Sequence, residues 1–289
     1  MNSYKVIGIG DNVVDKYVHQ GIMYPGGNAL NFCAYATMCG MESAYMGKFG
    51  SDEVARYIQQ VLDELKIDRS RCRSYEGENG YARVTLENGD RVFLGSNKGG
   101  IAKEKAWDFS AADLDYIRQF AVIHTSLNSY IEQDLAVLRE SGVPVSYDFS
   151  VRWNDEYLQQ VCPNIDIAFL SCSHLTAEER EREMRKAQRL GAKVVVGTVG
   201  EDGSYALIGD QWLYQPAVTT DAVDTMGAGD SYITAFLVEL IRNSKDGRID
   251  FGQEDELLRH IKASMDKGAE FAAKICRING AFDFGTPLV

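Results

Sequence analysis

The chain is 289 residues long, 45% apolar and 25% charged, which is the balance of a globular domain and excludes a disordered or fibrous chain. It carries 42 acidic against 30 basic residues, a net charge of −12, and no basic block able to neutralise a run of phosphates, so nucleic acid is excluded as the expected partner. No apolar run reaches the roughly 20 residues needed to cross a bilayer, and no membrane span is expected.

Residues 4–10 are a short β-branched apolar run closed by glycine, which reads as a buried strand of a parallel sheet. A loop with Asp11, Asn12 and Asp15 follows. In Gly26-Gly27-Asn28 the glycines break the chain and Asn28 is placed to cap a helix running to about residue 39. Further strands are expected near 44–46, 121–124, 143–147, 165–170 and 193–198, with helices over 53–65, 132–140 and 177–190 between them. Such alternation predicts a mostly parallel sheet covered on both faces. Residues 81–86 and 91–94 break the rhythm: they are β-rich and joined through Glu87-Asn88-Gly89-Asp90, whose Asn-Gly pair favours a type I′ hairpin. With the stretch near 17–24 they predict a small β flap. Two amphipathic helices follow late in the chain, over about 229–241 and 254–276, and their apolar stripes read as core. A single domain over 1–289 is expected, with flap segments inserted at about 16–25 and 72–97.

The six cysteines lack the paired spacing of zinc sites, and the chain begins on a strand-like run instead of a signal peptide. Reduced thiols and a cytoplasmic location are expected. Cys162, Cys172 and His174 come nearest to a ligand cluster but match no zinc template, so no metal site is assigned.

The segment Asp224-Thr225-Met226-Gly227-Ala228-Gly229-Asp230 stands directly before a long apolar helix. Small residues let a ligand approach the backbone, and the first N–H groups of a helix have no partner within it, so the segment can form an anion hole. A carboxylate beside that hole can take the proton of an attacking hydroxyl while the amides hold a transferring phosphoryl group. Taken singly, these features read as a tight turn with Asp230 as a helix cap. In Gly26-Gly27-Asn28-Ala29-Leu30-Asn31, the plain alternative makes Asn28 a cap and Asn31 a solvated first-turn residue. Thr198-x-Gly200-x-x-Gly203 by itself fits a hairpin turn. Gly8-Ile9-Gly10 follows a strand but lacks the third glycine of a dinucleotide fingerprint, since Val13 stands there. No Gly-x-x-x-x-Gly-Lys-Ser/Thr run is present, which excludes a P-loop kinase at the level of motif.

Together, the 224–230 segment resembles the C-terminal motif of the PfkB, or ribokinase, family of sugar kinases, and the 26–31 segment resembles its N-terminal Gly-Gly-x-x-x-Asn element. The likeness extends over essentially the whole chain. It implies an α/β fold, a ribokinase-like three-layer sandwich with a mostly parallel central sheet and a small β flap as lid, and an ATP-dependent phosphotransferase. By that resemblance Asp230 is the base and the Gly227, Ala228 and Gly229 amides form the anion hole. Asp15, Gly27 and Asn31 are sugar ligands, Thr198, Gly200 and Gly203 contact ATP phosphates, and Asn279 lies on the adenine side. Arg91 in the flap suits a phosphate or a substrate carboxylate, or is a solvated hairpin charge. Residues 7–15, Gly26-Gly27-Asn28-Ala29, Asp90-Arg91-Val92-Phe93, and Asp148-Phe149-Ser150 with Trp153 are similar to the branch of the family that phosphorylates fructosamines, which implies a fructosamine 6-hydroxyl as acceptor. An unmodified ketose or pentose is the second reading of the substrate, with a nucleoside after it.

One departure is plain: Ser171-Cys172-Ser173-His174 stands where family members carry the Asn-x-x-Glu that organises magnesium. Mg2+ is therefore expected to arrive mainly with ATP and water, and His174 to lie on the surface. The departure also leaves a sugar-binding sensor without catalysis as a third reading, against which the complete 224–230 segment argues. A monovalent cation, K+, near Asp224 is left open. Exposed flap edges need cover, so a homodimer paired through the β flap is expected.

Overall fold

The structure, a computed structural model, describes residues 4–87 and 90–289, with the backbone alone at 86, 87, 90 and 91. In chain order it begins β1 (Lys5–Gly10), β2 (Val13–Tyr17), β3 (Ile22–Gly26), α1 (Asn28–Met38), β4 (Glu42–Phe49), α2 (Glu53–Glu64), β5 (Arg73–Ser74), β6 (Gly80–Glu87) and β7 (Asp90–Ser96). It continues with α3 (Ile101–Glu104), α4 (Ala111–Ile117), β8 (Ile123–Ser126), α5 (Leu135–Arg139), β9 (Val145–Asp148), α6 (Asp155–Val161), β10 (Ile167–Ser171) and α7 (Ala177–Arg189). It ends with β11 (Val194–Thr198), β12 (Ser204–Ile208), β13 (Gln211–Gln215), α8 (Ala228–Asn243), α9 (Glu254–Ile275) and β14 (Thr286–Pro287).

Nine strands form one sheet in the order β13-β12-β11-β10-β9-β8-β1-β4-β5, parallel from β5 to β11 and antiparallel only at β12 and β13. Alternation along the central strands divides the core into two layers. Val6, Ile167, Phe169, Val194 and Val196 pack with α1, α2, α8 and α9 on one face. Ile7, Ile9, Ala168, Leu170 and Val195 pack with α4 to α7 on the other. Strands buried on both faces need continuous apolar runs, which is why these segments were legible as strands. The expected helix over 132–140 is instead a 3-10 turn at Glu132–Asp134 followed by the short α5.

Gly8 sets how closely α1 lies on the sheet. A Cβ there would stand 2.4 Å from the Ala29 carbonyl oxygen and 2.6 Å from Cys33 Sγ. Only glycine lets the helix settle at that depth, and the start of α1 carries two of the residues that build the cleft described below.

A second sheet, β14-β3-β2-β6-β7, stands over the carboxyl ends of the large one. Its small core is Tyr17, Tyr24 and Val84, with Ile22 and Met226 packed against them. Two details differ from expectation. Arg73–Ser74 pairs with β4 in the large sheet instead of joining the flap, and Thr286–Pro287 adds an edge strand beside β3 from far along the chain. The expected Asn88-Gly89 turn lies outside the described residues. The Thr198-to-Gly203 segment is the turn between antiparallel β11 and β12.

Gly8→Ala should cost about 1–3 kcal/mol through overpacking. A lowered urea midpoint with an unchanged slope would show it, and an unchanged midpoint would mean that α1 has slack to move away.

Candidate active site

Ligands of open α/β sheets bind where parallel strands end, and here those ends open into a cleft of about 900 Å3 beneath the second sheet. The base of the cleft is organised by Asp11, which follows β1 directly. Its carboxylate accepts the Asn28 N–H at 2.8 Å, the Ala29 N–H at 3.2 Å, the Ser126 hydroxyl at 3.3 Å and the Ser129 hydroxyl at 3.2 Å. Burial pushes the Asp11 pKa up, and the Ala29 and Asn28 amides and the Ser129 hydroxyl offset part of that rise.

Helix α1 is therefore capped from another element. Asn28, expected as its cap, is its first residue, and the N-cap position belongs to Gly27 at φ 113°. A Cβ on Gly27 would lie 2.8 Å from the Asp11 carbonyl oxygen, so the turn requires glycine. Relieved of capping, the Asn28 side chain faces the acids of the cleft. Its Nδ2 donates to Asp230 Oδ1 at 2.8 Å and to Asp148 Oδ2 at 3.0 Å, and its Oδ1 accepts from Asn128 Nδ2 at 2.7 Å. Asn31 Nδ2 donates to Asp230 Oδ2 at 2.7 Å. Both oxygens of Asp230 are thus tied to one turn of α1. Asn31 Oδ1, although buried, has no partner among the described residues.

Asp230 sits in the first turn of α8, whose N-cap is Gly227 at φ 74° and which has no side-chain cap. The helix-cap alternative for Asp230 is not what the geometry shows. A Cβ on Gly227 would meet Tyr35 Oη at 2.2 Å, whereas one on Gly229 would meet nothing within 4 Å, so Gly229 leaves open space at the helix start. The Ala228 N–H is turned to the Thr225 carbonyl at 3.2 Å, and of the expected trio it is the amide already engaged. Asp224 joins three segments: its Oδ1 accepts from the Met226 N–H at 2.9 Å, and its Oδ2 accepts from Tyr17 Oη at 2.8 Å and from the Gly280 N–H at 3.0 Å.

The cleft brings together Asp15, Gly27, Asn31, Thr198, Gly227, Ala228, Gly229 and Asp230. Gly200, Gly203 and Asn279 are not among its lining residues. Gly203 answers to packing, since a Cβ there would come within 2.1 Å of the Gln215 carbonyl oxygen. Asn279 is exposed beside Gly280. The Arg91 side chain lies outside the described residues. Ser171 lines the cleft, but His174 lies in a separate shallow groove, its ring 6.2 Å from that of Trp153. Among the described residues no group of three or more His, Cys, Asp or Glu side chains is arranged to hold a metal ion.

Sequence reasoning gave no role in the site to Asp148, Asn28 or Asn128. Asp148 ends β9, and its position at the carboxyl end of a parallel strand was the available signal. Its pKa is raised to about 7, chiefly by burial and then by the nearby Asp230 charge. The folded chain thus holds a proton that the unfolded chain releases at the ordinary carboxylate pKa of about 4. This contribution to stability is greatest below about pH 4 and falls as pH rises towards about 7. In urea melts from pH 4 to 8, Asp148→Asn should become progressively more stable relative to the parent as pH rises, by up to about 4 kcal/mol. Parallel curves would show that Asp148 ionises normally in the fold.

Comparison with known proteins gives the fold and the lineage. The model of the family described as pfkB family carbohydrate kinase matches residues 2–277. The chain is 41% identical to fructosamine kinase FrlD of Bacillus subtilis (strain 168) over 284 residues, 98% of this chain and 94% of that protein. It is 32% identical to fructoselysine 6-kinase of Escherichia coli (strain K12) over 231 residues, 79% of this chain and 86% of that protein. Arabidopsis thaliana ribokinase, solved with ribose and ATP, superposes with a TM-score of 0.79 at 21% identity, covering 98% of this chain and 95% of that one. Fructokinase with bound ATP from Xylella fastidiosa also superposes with a TM-score of 0.79, at 16% identity and with 96% and 94% coverage. The fold is ribokinase-like.

Proposed function

This chain belongs to the pfkB family of carbohydrate kinases, and from that premise we propose that it transfers the γ-phosphoryl group of ATP to the 6-hydroxyl of a fructosamine such as fructoselysine. The observation that carries the reading is the position of Asp230, held through both oxygens by Asn28 and Asn31 at the open head of α8. A carboxylate fixed in this way cannot rotate out of line, and a helix start beside it favours negative charge.

In the proposed step the acceptor hydroxyl gives its proton to Asp230, its oxygen bonds to the γ-phosphorus, and the bond from that phosphorus to the β,γ-bridging oxygen breaks to release ADP. The Gly227 and Gly229 amides hold the charge that spreads over the transferring group. Asp15 and Asn31, which both line the cleft, bind sugar hydroxyls. Space at Gly229 and Thr198 at the end of β11 suit the nucleotide phosphates, in keeping with neighbours solved with ATP. Magnesium would arrive with the nucleotide and would neutralise its phosphates there. The fructosamine choice is supported by the two relatives named for that chemistry, and a plain ketose or pentose is the runner-up.

Strand β7 exposes Phe93 (64%) and Leu94 (48%), and pairing of two flaps would cover them, which supports a homodimer. The six cysteines are all free, in keeping with a cytoplasmic kinase.

A coupled ADP-release assay with ATP and magnesium, run on fructoselysine, fructose, ribose and adenosine in potassium and in sodium buffers, should give its highest kcat/KM on fructoselysine. Dominance of fructose or ribose would reject the fructosamine assignment. Asp230→Asn should lower kcat by about 100-fold or more while sugar and ATP binding survive in titration calorimetry. Undiminished turnover in that variant would remove Asp230 from its role as base.

A further inference from the structure

Beside the acids, one wall of the cleft is cationic. Lys98, Lys103 and Arg152 all line the cleft, in a chain whose net charge is −12. None of the three pairs with a carboxylate among the described residues. They gather around Tyr130: its hydroxyl donates to the Lys98 carbonyl at 2.8 Å, and Lys103 Nζ stands 5.5 Å from its ring centre. The Arg152 guanidinium donates to Asn128, two residues before Tyr130.

The backbone here is held at a cost. Lys98, Tyr130 and Ser150 adopt φ of 57°, 50° and 49°, the left-handed region that side chains other than glycine seldom occupy, and all three line this cleft. Such strain, repeated on three separate segments around one opening, is characteristic of ligand clamps.

Position in the sheet separates this wall from the phosphate end. Thr198 ends β11, while Tyr130 follows β8, with β10 and β9 lying between those strands. An anion bound at the lysines therefore belongs to the half of the ligand remote from the nucleotide.

The geometry points to Lys98, Lys103 and Arg152 as a rim that reads a carboxylate on the amine half of the substrate, making sugar conjugates of amino acids, with the carboxylate free, the preferred substrates over neutral sugar amines. This inference rests on the fructosamine reading above and adds to it the chemistry of the part that is not phosphorylated. The sugar hydroxyls meet the acids and Asn31, the amine half runs past Tyr130, and its carboxylate ends among the three cations. Guanidinium and ammonium groups suit that anion, and partial exposure makes the attraction sensitive to salt.

The test compares fructoselysine with its carboxamide, which differs in that one charge, using the parent protein and the double variant Lys98→Gln/Lys103→Gln. Both lysines are exposed, so the fold should survive, and circular dichroism checks that it does. Arg152 is spared because it also supports Asn128 and, through it, Asn28. The parent should prefer the acid by about tenfold in kcat/KM, expressed in KM. In the variant that ratio should fall towards one, and in the parent it should shrink as salt rises. Equal kcat/KM for acid and amide in the parent would overturn the inference while leaving the fructosamine kinase intact. Equal loss on both substrates with a raised KM for ATP would overturn it by assigning the lysines to phosphate. Turnover of fructose with none of any fructosamine would defeat the underlying substrate reading itself.

Discussion

The site depends on a buried carboxylate, Asp11, that serves as cap for a helix on which it does not lie. Its two oxygens take the first N–H groups of α1 and two serine hydroxyls, one at the end of β8 and one in the loop after it. A buried anion is costly unless satisfied, and this one is satisfied only if β1, α1 and that loop meet in one arrangement. Gly8 lets α1 lie deep enough on β1, and Gly27 lets the chain pass over the Asp11 backbone. Those close approaches place Asn28 and Asn31 where they reach the head of α8.

From that arrangement follows an electrostatic problem and its local solution. Asp11, Asp15, Asp148 and Asp230 all line one cleft, where like charges in a partly buried space repel. Asparagine amides absorb part of the cost: Asn28 lies between Asp148 and Asp230, and Asn31 grips Asp230 from the other side. Asp148 bears the remainder as a retained proton near neutral pH. Asp224 is kept apart from this group, spent on tying the flap through Tyr17 and the late loop through the Gly280 N–H. The acids that face the cleft and the acid that braces it are thus distinct, although both ends of the 224–230 segment are aspartates.

Much of this was legible in the sequence. The central strands declared themselves because burial on both faces demands unbroken apolar runs, and the 224–230 segment because its seven residues together resemble the family motif, although each alone reads as a turn or a cap. What stayed hidden was set by contacts between distant segments. Asn28 reads locally as a helix cap, and only the presence of Asp11, 17 positions earlier, frees it for another use. Asp148 looks like any strand-end acid until Asp230 is brought near, 82 residues later. Gly203 matched a phosphate-binding spacing, yet its conformation, φ 105° against the Gln215 carbonyl, answers to packing. A two-residue strand containing proline, Thr286–Pro287, has no periodicity to read.

Asn28 uses every polar atom of its side chain: one nitrogen serves two carboxylates, and one oxygen takes the Asn128 amide. Asparagine meets that demand at this length with two donors and an acceptor at its tip. Aspartate would set a further carboxylate against Asp148 and Asp230, serine and threonine have a single O–H to offer, and lysine has nothing with which to accept. A single replacement at position 28 therefore forfeits at least one of these three hydrogen bonds, and restoring it takes a matching change at position 128, 148 or 230.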